Sequence, residues 1–372
     1  MTRYRAALAV LAGGLACAGA WGQAPPPNIL EQQRLIDDKL ADARQRAAPL
    51  ESLVDWQWGG WVEHYTFHFD DGVQSSRWLQ RPGVALWTRF TLDGGAHEIF
   101  ARTKLTYEYF RPGDEYDRQQ DWIGPNLERG WYQVDVGRAF RLTTPADPLQ
   151  MKIRLGRQEV MFGTGYVLDL PLDAVTFDSQ LDKLRIRGLF GRTPGSTPNI
   201  DRSPPVASHS ARWLYGVEAS YTGLERHVPF VYALWNDDFT DERTPTWFQN
   251  YTYDTQYYGI GSRGELAHNL RYWAEGVFET GRSWGDGRWL VRDKVRAWGL
   301  DAGLEYLFEA PLRPRASFEY MYASGDGDRV GSTNSAAGGN LRGQDSAFNA
   351  LGVGDTGRAA GLVLAGSRPG WG

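Results

Sequence analysis

MKIRLGRQEV, Met151 to Val160, alternates at a spacing of two. In an extended chain successive side chains point to opposite faces, so Met151, Ile153 and Leu155 share one side and Lys152, Arg154 and Gly156 the other. Two architectures accept such a strand. In a soluble sandwich the bases would face water. In a membrane barrel the apolar residues would face lipid and the bases a lumen. The surrounding sequence decides between them.

From Trp56 onward the chain is built of alternating segments of roughly ten to fifteen residues, divided by clusters of Gly, Pro, Asp and Asn. ALWTRFTLDGGAHEIFARTKLTYEYF reads as a hairpin turning at Asp93-Gly94-Gly95. Its second arm sets Ile99, Ala101, Leu105, Tyr107 and Tyr109 against Glu98, Arg102, Lys104 and Glu108. DKLRIRGLF sets Leu184 and Ile186 against Lys183, Arg185 and Arg187. KVRAWGLDAGLEYLFE sets Trp298, Leu300, Leu304 and Tyr306 against Gly299, Asp301, Gly303 and Glu305. PRASFEYMYASGD sets Phe318, Tyr320 and Tyr322 against Arg315, Ser317 and Glu319. There are about a dozen such segments, close to the ~9–11 residues that cross a bilayer when tilted and longer than the ~5–6 typical of soluble strands. Short turns alternate with long acidic or Pro-rich connections, as at the two rims of an outer-membrane barrel. The predicted fold is all-β, an antiparallel up-and-down transmembrane β-barrel, apolar outside and with its bases in the lumen.

Composition agrees. Mean hydropathy is −0.48, and no stretch beyond the first two dozen residues approaches the ~20 consecutive apolar residues of a membrane helix. Aromatics make up 13% of the chain, which suits both interfacial girdles and carbohydrate binding. Arg3 and Arg5 precede a small apolar run ending in Ala18-Gly19-Ala20, the pattern of an export signal. Residues 1–24 are expected to be that signal, and its removal takes away the only cysteine, Cys17. Residues 25–55 read as a periplasmic linker with a short helix over Asn28–Ala48, and 56–372 as the barrel. A net charge of −5 and the lack of a basic–aromatic pattern exclude a nucleic-acid partner.

MKIRLGRQEVMFGTGYVLDLPLDAVTF resembles the alginate-export family of outer-membrane barrels, through Leu155-Gly156-Arg157-Gln158 and Asp173-Ala174-Val175. YMYASGDGD, from Tyr320 to Asp328, and the later DSAFNALG are similar to a strand-to-loop segment and a loop return of that family. The resemblance implies a single-chain barrel of eighteen strands with an arginine-rich constriction passing an acidic polysaccharide. Arg154, Arg157, Arg185 and Arg187 would then lie in its pore. The expected pore-lining set also holds Arg102, Lys104, Lys152, Lys183 and Arg315. These cations either favour anionic permeants or pair with Glu98, Glu108, Glu218 and Glu319. Successive strands of a meander usually pair, so Lys152 and Arg154 are expected beside Arg185 and Arg187 on one wall. The expected partners are the outer-membrane bilayer and an anionic saccharide, with periplasmic secretion partners open. Other porin solutes, and a secreted carbohydrate-binding β-protein, are the competing readings. After Gly357 no closing strand is evident, so either the barrel is smaller than the family's or the chain is C-terminally truncated, and truncation is the favoured expectation.

Other constellations carry less. His64 and His68 share a strand face but stand ~13 Å apart, too far for one ion. Asp326 and Asp328 lack the later carboxylates of a calcium loop. Ser208, His209 and Ser210 have no evident acid partner, so no catalytic residue, metal or cofactor is assigned and the chain is not expected to be an enzyme.

Overall fold

A computed structural model describes residues 54–69, 77–111, 120–140, 150–194, 211–239, 253–285, 292–310, 314–327 and 343–351. The expected signal, the Asn28–Ala48 helix, the Ser208–Ser210 group and everything after Leu351 lie outside them. The described chain is a meander of long strands: β1 (Val54–Phe69), β2 (Arg77–Leu92), β3 (His97–Arg111), β4 (Gln120–Asp135), β5 (Gln150–Phe162), β6 (Leu168–Leu181) and β7 (Leu184–Arg192). It continues through β8 (Arg212–Tyr221), β9 (His227–Asp238), β10 (Asp254–Ala267), β11 (Leu270–Gly285), β12 (Arg292–Leu307) and β13 (Arg315–Ala323). Each strand pairs with the next in sequence, while the two-residue β14 (Gln344–Asp345) lies parallel to β12. The only described α-helix is one turn, α1 (Val136–Ala139), capped by the Asp135 carboxylate. The sheet is antiparallel and up-and-down, as predicted, and among the described residues it is not closed between β1 and β13.

Partners directly opposite in an antiparallel ladder share a face. One row therefore runs unbroken through Trp56, Phe90, Ile99, Tyr132, Leu155, Val175, Phe190, Tyr215 and Trp235 on nine strands. It is apolar throughout, and six of its members are among the exposed large hydrophobics. This is the outer face. The next row contains Arg89, Phe100, Trp131, Gly156, Ala174, Gly191, Leu214, Asn236 and Thr255, and is progressively buried from Ala174 onward. This is the inner face. The even positions of β12 from Trp298 to Tyr306 face out and the odd ones from Asp293 to Gly303 face in, the assignment that alternation predicts.

Connections differ between the rims. Asp93–Ala96, Asp182-Lys183 and His268-Asn269 make tight turns at one rim. There His268 and Asn269 bond the exposed Glu309 carboxylate and hold its pKa below the usual range. At the other rim the joined strand ends stand farther apart in sequence, as between Arg192 of β7 and Arg212 of β8.

Leu300 stands at the middle of β12 on the outer face. Leu300→Arg is expected to cost ~2–4 kcal/mol of stability in lipid, the range for a charge facing the bilayer midplane. Urea titration in vesicles reads this directly, and a parental midpoint would reverse the facing.

Candidate permeation pathway

The inner face divides into a basic side and a filled side. On β2 to β7 the bases are held by short bonds. Arg89 pairs with Glu98 at 2.8 Å, Arg102 with Glu128 at 2.6 Å and Lys104 with Glu63 at 2.6 Å. Arg154 is fixed by two uncharged groups: it donates twice to the Gln133 side-chain oxygen, at 3.1 and 2.8 Å, and its guanidinium lies 3.9 Å from the Trp131 ring centre. Arg185 forms a two-point bond with Asp178, and Arg187 pairs with Glu218. Arg315 reaches Glu305 at 3.3 Å near the tight-turn rim.

The structure corrects three expectations. Arg157 is not on the inner face. It shares the parity of Leu155, points outward, and pairs with Asp173 at 2.8 Å while donating to the Leu127 carbonyl. Lys183 is not on a strand wall, because it forms the tight turn between β6 and β7 with Asp182. The strands of Arg154 and Arg185 are not neighbours. β6 runs between them, straight through Pro171, and brings Asp178 opposite both Lys152 and Arg187. The four bases therefore surround a carboxylate instead of forming a purely cationic cluster.

On the filled side two segments enter the interior. The connection between β5 and β6, Gly163 to Val167, turns inward at the rim where long connections predominate. Its Gly163 N–H donates to Glu218 at 2.8 Å and its Thr164 N–H to Glu275 at 2.5 Å. The Thr164 hydroxyl donates to Asp301 at 2.6 Å, and the Tyr166 hydroxyl to the Tyr322 carbonyl at 2.6 Å. The second segment, 344–351, lies against the first: Phe348 stacks on Tyr166 with ring centres 5.3 Å apart, and the Leu351 N–H donates to the Val167 carbonyl. Asn349 donates its N–H to Glu279 at 2.9 Å, while its carbonyl accepts from the Tyr257 hydroxyl at 2.7 Å. Around them Phe162, Leu170, Leu172, Leu214, Leu234 and Val295 form a buried apolar cluster. The interior is thus packed on this side, where alternation alone led to the expectation of a polar lumen.

Glu275, Glu279, Asp301, Thr164 and Asn349 were not singled out from sequence as site residues, whereas Glu218 was named as a pairing partner of the bases and does pair with Arg187. Glu275, Val277 and Glu279 in WAEGVFETG do share a face at spacing two, and that signal was available. Nothing local to GTGYV announces where it docks. The matched DSAFNALG segment does return into the barrel, through Phe348. His64 and His68 both lie on β1, and among the described residues no group of three metal-ligating side chains forms.

A family model described as "Alginate export" matches residues 114–351, more than half of the chain. A search of curated proteins finds no match. Among solved structures the chain is similar to OmpF of Salmonella typhi in complex with daunomycin, at 12% identity and TM-score 0.35, covering 72% of this chain and 89% of that one. It is also similar to in-vitro folded OmpT of Vibrio cholerae, at 14% identity and TM-score 0.32, covering 80% of this chain and 92% of that one. The matched region takes in β4 to β13 and both inserted segments, and the chain belongs to the alginate export family of outer-membrane β-barrels.

Proposed function

We propose that this barrel passes an anionic oligo- or polysaccharide, alginate-like in its charge, along the basic side of its inner face. The supporting observation is which member of each ion pair reaches the open interior. In the Lys104–Glu63 pair the lysine is 30% exposed and the glutamate 11%. In the Arg187–Glu218 pair the values are 20% and 1%. Arg102, more buried than Glu128, runs the other way, and the Arg89–Glu98 and Arg185–Asp178 pairs are evenly exposed. On the far side the inward acids Glu275, Glu279 and Asp301 are almost wholly buried beneath the inserted segments. The charge offered to a solute is therefore weighted toward cations although the chain is net acidic. Within a screening length of ~8 Å at physiological salt, such a wall biases what enters a constriction. Arginine suits the task because its planar fork can hold a carboxylate by two parallel bonds.

The test is the reversal potential of the reconstituted protein under a salt gradient. The parent is expected to favour anions. Arg154→Glu/Arg185→Glu is expected to weaken or reverse that preference while the protein still shifts on boiling in detergent gels. An identical reversal potential in the double variant would make these bases structural partners only, leaving a general porin as the better reading.

A further inference from the structure

Three aromatic side chains line the inner face of β2, β3 and β4 away from the buried cluster: Trp87, Phe100 and Trp131. Trp87 lies flat against the wall. A Cβ at Gly59, its partner across the β1–β2 ladder, would come 2.8 Å from the indole, so the ring occupies the space the missing side chain leaves. Phe100 follows at 6.3 Å between ring centres with 23° between planes, and Trp131 follows Phe100 at 5.3 Å and 21°. At these spacings near-parallel rings are offset, and their faces are not fully covered by one another. All three are half-buried. Two arginines lie against the run, Arg89 over the Phe100 ring at 5.8 Å from its centre and Arg154 over the Trp131 ring at 3.9 Å, where its guanidinium shares that face.

Rings that merely pack a fold should be found in the core. Here the inserted segments pack on Tyr166, Phe162 and Leu168, and the buried cluster contains none of the three. A tilted aromatic floor bordered by guanidinium groups matches one class of ligand chemically. The face of a pyranose ring presents C–H bonds that sit well on a π surface, while its hydroxyl and carboxylate groups project from the edge toward flanking donors.

We propose that Trp87, Phe100 and Trp131 form a binding track on which successive sugar rings of an acidic oligosaccharide stack during passage, with Arg89 and Arg154 holding carboxylates at its margins. This rests on the permeation of an anionic saccharide proposed above, and specifies where and how that solute touches the wall.

The test is block of ionic current through the full-length protein in planar bilayers by a size-purified oligouronate. Trp87→Ala/Trp131→Ala is expected to raise the half-blocking concentration about tenfold, as the loss of two stacking contacts implies. Trp87→Phe/Trp131→Phe, which keeps two aromatic faces, is expected to recover most of it. If the double alanine variant loses its heat-modifiable form, Phe100→Leu carries the same measurement with a smaller change in volume. Equal block of parent and ring-deleted channels would overturn the track. If the parent nevertheless selects anions, the permeation reading survives that failure. A parent that selects cations and is not blocked removes both. Equal block by a neutral gluco-oligosaccharide of the same length would overturn the acidic specificity assigned here.

Discussion

Gly156→Val is expected to abolish the heat-resistant folded form. Gly156 adopts φ +129°, a conformation that side-chain-bearing residues rarely take. A Cβ there would lie 2.3 Å from the Gly130 carbonyl oxygen and 2.8 Å from the Trp131 Cα, both backbone atoms that cannot swing aside. The position also falls in the shortest seam between consecutive strands, since β4 and β5 pair only from Gly130 to Asp135 against Lys152 to Arg157. Backbone strain of this kind costs ~1–3 kcal/mol by itself. With the ladder bonds lost as the seam opens, the total should exceed ~4 kcal/mol, among the most damaging single substitutions. Boiled and unboiled samples should then migrate alike. A parental heat shift would show that the sheet can move β4 aside without penalty.

The second large effect is expected at Glu275. Its carboxylate accepts from the Thr164 N–H and from the Tyr232 hydroxyl, and it is only 1% exposed. Glu275→Ala leaves both donors buried without this acceptor, at ~1–3 kcal/mol each, so roughly 2–5 kcal/mol in all. The loss falls on the attachment of the connection from Gly163 to Val167, not on the wall, because β11 keeps its full ladder to β10 and β12. The variant is therefore expected to insert normally but to conduct more current per channel, with larger current fluctuations. Glu275→Gln, which retains one acceptor oxygen, should fall between. Single-channel recording decides the matter. Parental conductance in the alanine variant would mean that the connection is held without this carboxylate.

Much of the wall was readable from the residues themselves. A side-chain period of two is a local property, so the outward row through Ile99, Tyr132 and Leu155, and the inward placement of Arg102, Arg154 and Arg187, follow from alternation alone. The errors have physical reasons. Arg157 was placed by its motif, against the parity set by Leu155 two residues earlier. Lys183 continues the alternation of Arg185 on paper, but the chain reverses before the strand begins. The segments of Arg154 and Arg185 were taken as successive, but β6 runs between them, and passing over one strand changes which bases are adjacent. Which groups meet in the filled interior was not readable. Its bonds join groups 111, 137 and 156 positions apart, and no window of sequence contains both ends of any of them.

Those same separations impose an order in time. Gly163 to Val167 is made early in the chain, yet Glu275, Asp301 and the Tyr322 carbonyl come from strands completed much later, and Leu168 meets Leu351 later still. Closing loops of that length is entropically unfavourable until the intervening strands have already brought the ends together. The wall is therefore expected to assemble before its centre fills. Contacts formed that late contribute little to the speed of assembly and mainly govern how long the finished state persists. The interior of this protein is a slow lock on a shell that is already standing.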